Sequence, residues 1–334
     1  MKKKNLIVFD MDGVLVDVTG SYREVTRRTT AIYLRDVITV PVQDEEFISL
    51  SHVAEVKRSG GLNNDWDLTS ALINAFLAGG LDGGLEGGGE TGVGPRNDRD
   101  LLEETRRTVG RMDLSGLERV LSEKTVVELF FSKTDKRSPL LLDRQDVGSG
   151  NLVKRIFQEL YLGKSLFREL YGDSPLFYDG AGYIDRERLI PRLEHLQRLS
   201  LAHTLAIATG RPGVEARYAL NRFGLDRLFS GLVSEDDVVE AEQEGEQRLR
   251  KPHPFSLDAC ISRCGYTKDA SISYVGDMVD DMRASLRAGI FPVGFVDRQS
   301  VGDEEADNQM RRLREGGARA VVRDFDELLR IFLS

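Results

Sequence analysis

Asn5-Leu6-Ile7-Val8-Phe9-Asp10-Met11-Asp12-Gly13 is a short apolar run of β-favouring residues that stops at an Asp/Gly cluster. Such a run reads as a strand buried on both faces of a parallel sheet and opening into a loop. The pattern returns late in the chain. Leu205 to Ala208 ends at Thr209-Gly210-Arg211-Pro212, and Ile272 to Val275 ends at Gly276-Asp277. Residues 292–296 and 320–322 read as further strands. Helical spacing is expected over 188–199, 214–223, 255–264, 278–288 and 325–332. Strands alternating with helices predict an α/β fold with a parallel sheet covered on both faces. Ligands of such sheets bind beyond the carboxyl ends of the strands. Asp10, Thr209 and Asp277 all stand at such ends.

Residues 18–180 do not follow this alternation. Helices are expected over 21–35, 68–77, 100–111, 114–129 and 152–171, making a mainly α-helical insertion directly after the first strand. Within it, 78–98 is rich in glycine and acidic residues and reads as a flexible surface loop. It lacks the Lys-Ser or Lys-Thr that a phosphate-cradling P-loop requires.

The chain has 334 residues, 40% of them hydrophobic and 30% charged, which suits a globular protein of two domains. A net charge of −9 argues against a general nucleic-acid binder. The apolar run after Lys2-Lys3-Lys4 is too short for a signal peptide or a membrane span, so no membrane association and a cytoplasmic location are expected. Cys260 and Cys264, one helical turn apart with no His or Cys pair nearby, read as reduced thiols rather than metal ligands.

Chemistry concentrates at the strand ends. Two carboxylates as close as Asp10 and Asp12 repel unless a cation lies between them or one holds a proton. Hard oxygen ligands suit Mg2+. Alone, the pair reads equally well as turn or capping aspartates. Gly276-Asp277-Met278-Val279-Asp280-Asp281 supplies a second acidic cluster in which Asp277 can complete a metal site, the alternative being a helix cap. Thr209, followed by Gly210, offers a hydroxyl and backbone N–H groups for phosphoryl oxygens, or caps a helix. Lys251, in Arg250-Lys251-Pro252-His253-Pro254, can offset crowded carboxylates and phosphate; alone it would be a solvated lysine.

These four segments, in this order, resemble the haloacid dehalogenase superfamily of phosphohydrolases: Asp10 to Asp17, Thr209, Lys251, and Gly276-Asp277 through Asp281. The resemblance implies a Rossmann-like core over 1–17 and 181–334, about half the chain, and a helical cap of the C1 class over 18–180. Lys57-Arg58-Ser59-Gly60-Gly61-Leu62-Asn63-Asn64-Asp65-Trp66-Asp67 further resembles a hypothetical branch of the phosphoglycolate-phosphatase-like subfamily IA.

The resemblance also implies roles. Asp10 attacks phosphorus in line and forms an aspartyl-phosphate. Asp12, starting protonated, serves the leaving oxygen and then activates water. Mg2+ takes the Asp10 carboxylate, the Asp12 backbone carbonyl and Asp277, with Asp281 acting through water or as support. Thr209, nearby amides and Lys251 hold the transferring oxygens.

The expected partner is a small phosphorylated metabolite; the sequence leaves its identity and the oligomeric state open. Lys57, Asn63, Asn64 and Trp66 are candidate substrate contacts on the cap, with an ordinary inter-helix loop as the alternative. Gly210 and Arg211, beside Thr209, and Arg23, soon after the first motif, are further candidates, with a surface arginine as the alternative for Arg23 and for Arg211, while the four histidines read as solvated or packed residues. Carbon–halogen displacement needs neither the acid at Asp12 nor the magnesium ligands. A sugar-phosphate mutase fits the same residues. A phospho-accepting signalling domain without turnover is the reading from another class, but there the acceptor aspartate lies on a later strand of a short domain.

Overall fold

The computed structural model describes residues 4–42, 48–58, 64–80, 97–124, 126–132, 137–245, 247–269, 271–298 and 302–334. In chain order, β1 (Asn5–Phe9) and β2 (Val16–Asp17) precede the helices α1 (Tyr22–Ile32), α2 (Leu50–Arg58), α3 (Asp65–Gly80), α4 (Asp98–Val109), α5 (Ser115–Glu123), α6 (Val126–Phe131) and α7 (Leu152–Tyr171). There follow β3 (Arg188–Leu189), α8 (Leu193–Ala202), β4 (His203–Ala208), α9 (Gly213–Arg222), β5 (Phe229–Val233), α10 (Glu235–Gly245) and α11 (Phe255–Arg263). The chain ends with β6 (Ile272–Gly276), α12 (Val279–Ala288), β7 (Phe291–Phe295), α13 (Asp303–Glu315), β8 (Ala320–Val322) and α14 (Phe325–Leu333). Two compact units result: Met1–Val18 with Arg188–Ser334, and Thr19–Glu187.

The first unit is built on a six-stranded sheet in the order β5-β4-β1-β6-β7-β8, parallel throughout. β1 is central because its side chains are apolar on both faces. Successive strand residues point to opposite sides. Ile7 and Phe9 therefore join Leu196, Leu199, Ala216, Leu328 and Phe295 in one cluster. Leu6 and Val8 join Leu257, Cys260, Ala284 and Ala288 in the other. Each such fully buried side chain stabilises the sheet by about 1.5–3 kcal/mol relative to exposure.

Several elements differ from the sequence expectation, among them β2, α10 and α13, which had no counterpart there. Residues 188–199 do not start as a helix: Arg188 and Leu189 pair antiparallel with Asp17 and Val16, and α8 begins after Pro191. A residue before proline is driven out of the helical region, so the helix cannot reach back through it. β5 had no counterpart in the sequence reading, because Ser230 and Gly231 interrupt its apolar run.

In the second unit, Tyr22 of α1 stacks on Tyr161 of α7 at 4.6 Å between ring centroids. The α7 span breaks at Gly163, whose φ of +69° and contact with Gly182 leave no room for a side chain. The helix expected over 114–129 is two, α5 and α6. Residues 181–187 go with this unit: Ala181 bridges to Gly163, and the hydroxyls of Tyr161 and Ser21 donate to the Glu187 carboxylate at 2.9 and 3.0 Å. Arg155, only 1% exposed, is held by Glu159 (2.8 Å), Asp98 (3.0 Å) and Asp173 (2.9 Å). Glu159 also accepts the N–H groups of Leu176, Phe177 and Tyr178.

The glycine-rich stretch is only partly described. Its first residues, Ala78 to Gly80, close α3 rather than belonging to a loop; residues 81–96 lie outside the described residues. No described helix is long and apolar enough to cross a membrane.

Candidate active site

Since β1 lies between β4 and β6, the residues following these strands become neighbours. The ladder carries past the strand ends, with the Asp10 N–H donating to Val275 O at 2.8 Å and the Thr209 N–H to Val233 O at 3.0 Å. Asp10 and Thr209 are 8% and 2% exposed, so both side chains are fixed in a nearly dry crevice. Lys251, from the segment before α11, reaches the same point. Its Nζ lies 3.3 Å from Asp10 Oδ1 and 2.9 Å from Asp281 Oδ1, and it donates to the Tyr274 hydroxyl at 2.6 Å.

Two glycines make this convergence possible. Gly13 has φ +73°, and a Cβ there would stand 2.3 Å from Asp277 Oδ2. At Gly276 a Cβ would meet Asp281 Cβ at 2.5 Å. Asp281, in the first turn of α12, accepts the Met278 N–H through Oδ2 at 3.0 Å while Oδ1 faces Lys251. Gln309 of α13 donates to the backbone carbonyl of Asp277 at 3.2 Å.

Burial raises the Asp10 carboxyl to about 7, with the neighbouring charges of Asp281 and Asp12 adding to the effect and Lys251 opposing it. For Lys251, burial favours the neutral amine, but the carboxylates of Asp10 and Asp281 outweigh it and hold the ammonium protonated. Burial, then the same acidic groups, push the Tyr274 hydroxyl well above its usual range, so it remains a neutral donor and acceptor.

Carboxylate oxygens of Asp10, Asp277 and Asp281 all come within 4.8 Å of one another, the one such group of potential metal ligands among the described residues. Three hard, anionic oxygen donors around a point that already attracts an ammonium fit a small divalent cation of the Mg2+ type. The Asp12 side chain turns elsewhere. Its Oδ1 accepts the Nε–H of Arg211 at 2.5 Å, and Arg211 is 1% exposed. The Arg211 N–H in turn donates to Thr209 Oγ1 at 3.2 Å, while Gly210 between them is exposed. Arg211, read from the sequence as a substrate contact, is thus a buried partner of Asp12. The sequence gives no local sign of this, since the two residues are joined only by the neighbouring of β1 and β4.

The chain is similar to known proteins in sequence and in fold. Residues 190–295 match the family model described as haloacid dehalogenase-like hydrolase. That stretch, about a third of the chain, is similar to the haloacid dehalogenase-like hydrolases. A phosphoglycolate phosphatase of Haemophilus influenzae is 28% identical over 46% of this chain and 62% of its own length. One from Pasteurella multocida is 29% identical over 36% of this chain and 50% of its own. The chain therefore spans between half and two thirds of the curated relatives it matches. Among solved structures, a structural-genomics target superposes over 98% of both chains with a TM-score of 0.63 and 19% identity. Phosphatase Tt82 from Thermococcus thioreducens superposes over 91% of this chain and 98% of its own, with a TM-score of 0.52 and 22% identity. These two likenesses concern the fold.

The residues proposed from sequence for the helical insertion lie in the second unit. Lys57 is ion-paired with Asp65 at 2.8 Å. The Asn64 side chain accepts the Trp66 N–H at 2.8 Å. Trp66 packs edge-on to Phe157 with the Lys154 ammonium 4.3 Å above its ring. Asn63 lies outside the described residues. Tyr274, which the sequence showed only as a strand residue, is the side chain of the site that the motif reading missed; a tyrosine within an otherwise apolar central strand was the available signal.

Proposed function

We propose that this chain is a Mg2+-dependent phosphatase that hydrolyses a small phosphate monoester through a phosphorylated Asp10. The observation that carries the reading is the Lys251 ammonium set between Asp10 and Asp281 at the ends of adjacent strands, with Asp277 beside them. A nucleophilic carboxylate needs its charge offset as an anionic phosphoryl group approaches, and a fixed ammonium in a dry crevice supplies that at little reorganisation cost.

In the proposed reaction, an Asp10 oxygen attacks phosphorus and the bond to the ester oxygen breaks. Asp12 gives a proton to the departing alkoxide. Asp12 then takes a proton from water, whose oxygen attacks the phosphorus of the acyl phosphate and regenerates the Asp10 carboxylate as inorganic phosphate leaves. The Thr209 hydroxyl and Lys251 hold the transferred oxygens. Asp10 and Asp277 would hold the cation, with Asp281 as support because its two oxygens are engaged by Met278 and Lys251. When bound, Mg2+ would neutralise negative charge shared by the carboxylates and the phosphoryl group. The helical unit is proposed as the cap that selects the substrate, with Lys57, Asn64 and Trp66 among its contacts.

The test is phosphate release from p-nitrophenyl phosphate and a panel of esters, beginning with phosphoglycolate because the matched relatives are named for it. Release must require Mg2+ and vanish in Asp10→Asn. Isomerisation of a sugar phosphate without release would replace this reading with a mutase.

A further inference from the structure

Tyr274 is fully buried in the middle of β6. A hydroxyl in such a place must be satisfied by the protein, and its partners here are those of the phosphoryl site. It accepts the Lys251 Nζ at 2.6 Å, the shortest contact that ammonium makes. It donates to the carbonyl of Ala208, the residue before Thr209, at 3.1 Å, and lies 3.4 Å from Asp281 Oδ1. One oxygen therefore connects the end of β4, the side of β6 and the segment carrying Lys251.

An ammonium has three N–H donors. Around Lys251 the three closest acceptors are the Tyr274 hydroxyl, Asp281 and Asp10, with the Ala208 carbonyl at 3.4 Å. We propose that Tyr274 is a positioning residue for phosphoryl transfer, its hydroxyl fixing where the Lys251 ammonium stands between Asp10 and Asp281. The inference rests on the phosphatase reading above for its kinetic consequence, but not for its geometry. Without the hydroxyl, Lys251 keeps two anionic partners and a long 3.4 Å contact to the Ala208 carbonyl, and loses its shortest, neutral partner. It then settles between the carboxylates in a range of positions, at the expense of the alignment it offers to a transferring phosphoryl group. That loss falls on the chemical step rather than on capture of the ester, so kcat should change more than KM.

The experiment is a double-mutant cycle with Tyr274→Phe and Lys251→Met, read by steady-state hydrolysis of p-nitrophenyl phosphate with Mg2+. Alongside it, the rate of reductive methylation of Lys251 by formaldehyde is followed by mass spectrometry against the exposed lysines of the same protein. Tyr274→Phe is expected to lower kcat about 10-fold with KM within about threefold, as for a lost hydrogen bond to a charged group. On the Lys251→Met background it should cost less than about twofold more, because residues acting as one unit are not additive. Lys251 in Tyr274→Phe should be methylated several-fold faster than in the parent while the other lysines are unchanged. An equal kcat loss on both backgrounds, or methylation of Lys251 at the parental rate, overturns the proposal. If no ester is hydrolysed by the parent, or Lys251→Met is too slow to measure, the methylation rates decide the role of Tyr274 alone.

Discussion

Arg211 and Asp12, 1% and about a third exposed, are joined by a 2.5 Å hydrogen bond from the arginine Nε to the carboxylate Oδ1. The same arginine's backbone N–H is accepted by Thr209 Oγ1. One residue thus contacts both the proposed acid–base carboxylate and the hydroxyl proposed to hold the phosphoryl group. Arg211→Gln should lower kcat roughly 10- to 100-fold, the scale of a lost charge-assisted contact that positions a proton-transfer group. Arg211→Lys should recover only part of it, since an ammonium does not reproduce the planar fork of a guanidinium. Initial-rate kinetics with thermal melts of both variants check this; wild-type kcat in Arg211→Gln would remove Arg211 from the mechanism.

Asp10 gives a pH dependence whose sign is fixed by its environment. Burial raises its carboxyl from 3.8 to about 7 in the metal-free protein. The folded state then holds a proton that the unfolded state has lost between these values. Stability should fall as pH rises from about 4 to 7 and level off above, as far as this group is concerned. Asp10→Asn should abolish turnover yet raise the Tm of the metal-free protein at pH 8, at about 2–4 °C for each kcal/mol recovered. Calorimetry at pH 5 and pH 8 checks it: the gain should shrink at the lower pH.

Mg2+ should stabilise the fold by linkage, reaching about 2.7 kcal/mol at 100 times its Kd. Asp277→Asn should weaken that stabilisation and the activity together. Because the Asp10 proton competes with the cation, Mg2+ affinity should decline as pH falls below about 7. Titration calorimetry at two pH values, with chelator-treated protein as the start, reads all three effects.

The buried Arg155 carries a prediction for the helical unit. Its guanidinium compensates Asp98 and Glu159, which are 1% and 0% exposed. Arg155→Met would leave these carboxylates without their cation, a change that costs about 3–5 kcal/mol when one partner of a buried pair is removed. Urea unfolding should show the loss, and limited proteolysis should place the first cuts within residues 19–187. Unchanged urea midpoints would mean that the network contributes no net stability.

Legibility in the sequence followed locality. β1, β4 and β6 were readable because each is a run of apolar residues ending at a polar turn, and their order in the sheet brought Asp10, Thr209 and Asp277 to one edge. Elements without such a pattern were missed. The α10 sequence Glu235-Asp236-Asp237-Val238-Val239-Glu240-Ala241-Glu242 shows little apolar periodicity, and β2 and β3 are two residues each. Pairings across long sequence distance were equally hidden. Nothing beside Arg211 marks it as the partner of Asp12, and nothing beside Tyr274 marks it as an acceptor for Lys251. These contacts exist because parallel strands bring distant segments side by side, which is tertiary information.

The ladder of Val16–Asp17 with Arg188–Leu189 has a consequence for how this architecture tolerates change. The chain leaves the sheet-bearing unit and returns to it on two antiparallel neighbours, whose Cα atoms in such pairs are about 4.5–5.5 Å apart. To that unit, everything between is equivalent to the tip of a hairpin. Insertions or deletions in the intervening segment that keep its two ends leave this pairing in place. The strand that holds Asp10 and the ladder that closes the excursion thus belong to one unit, while the helices between are a single insertion in its chain.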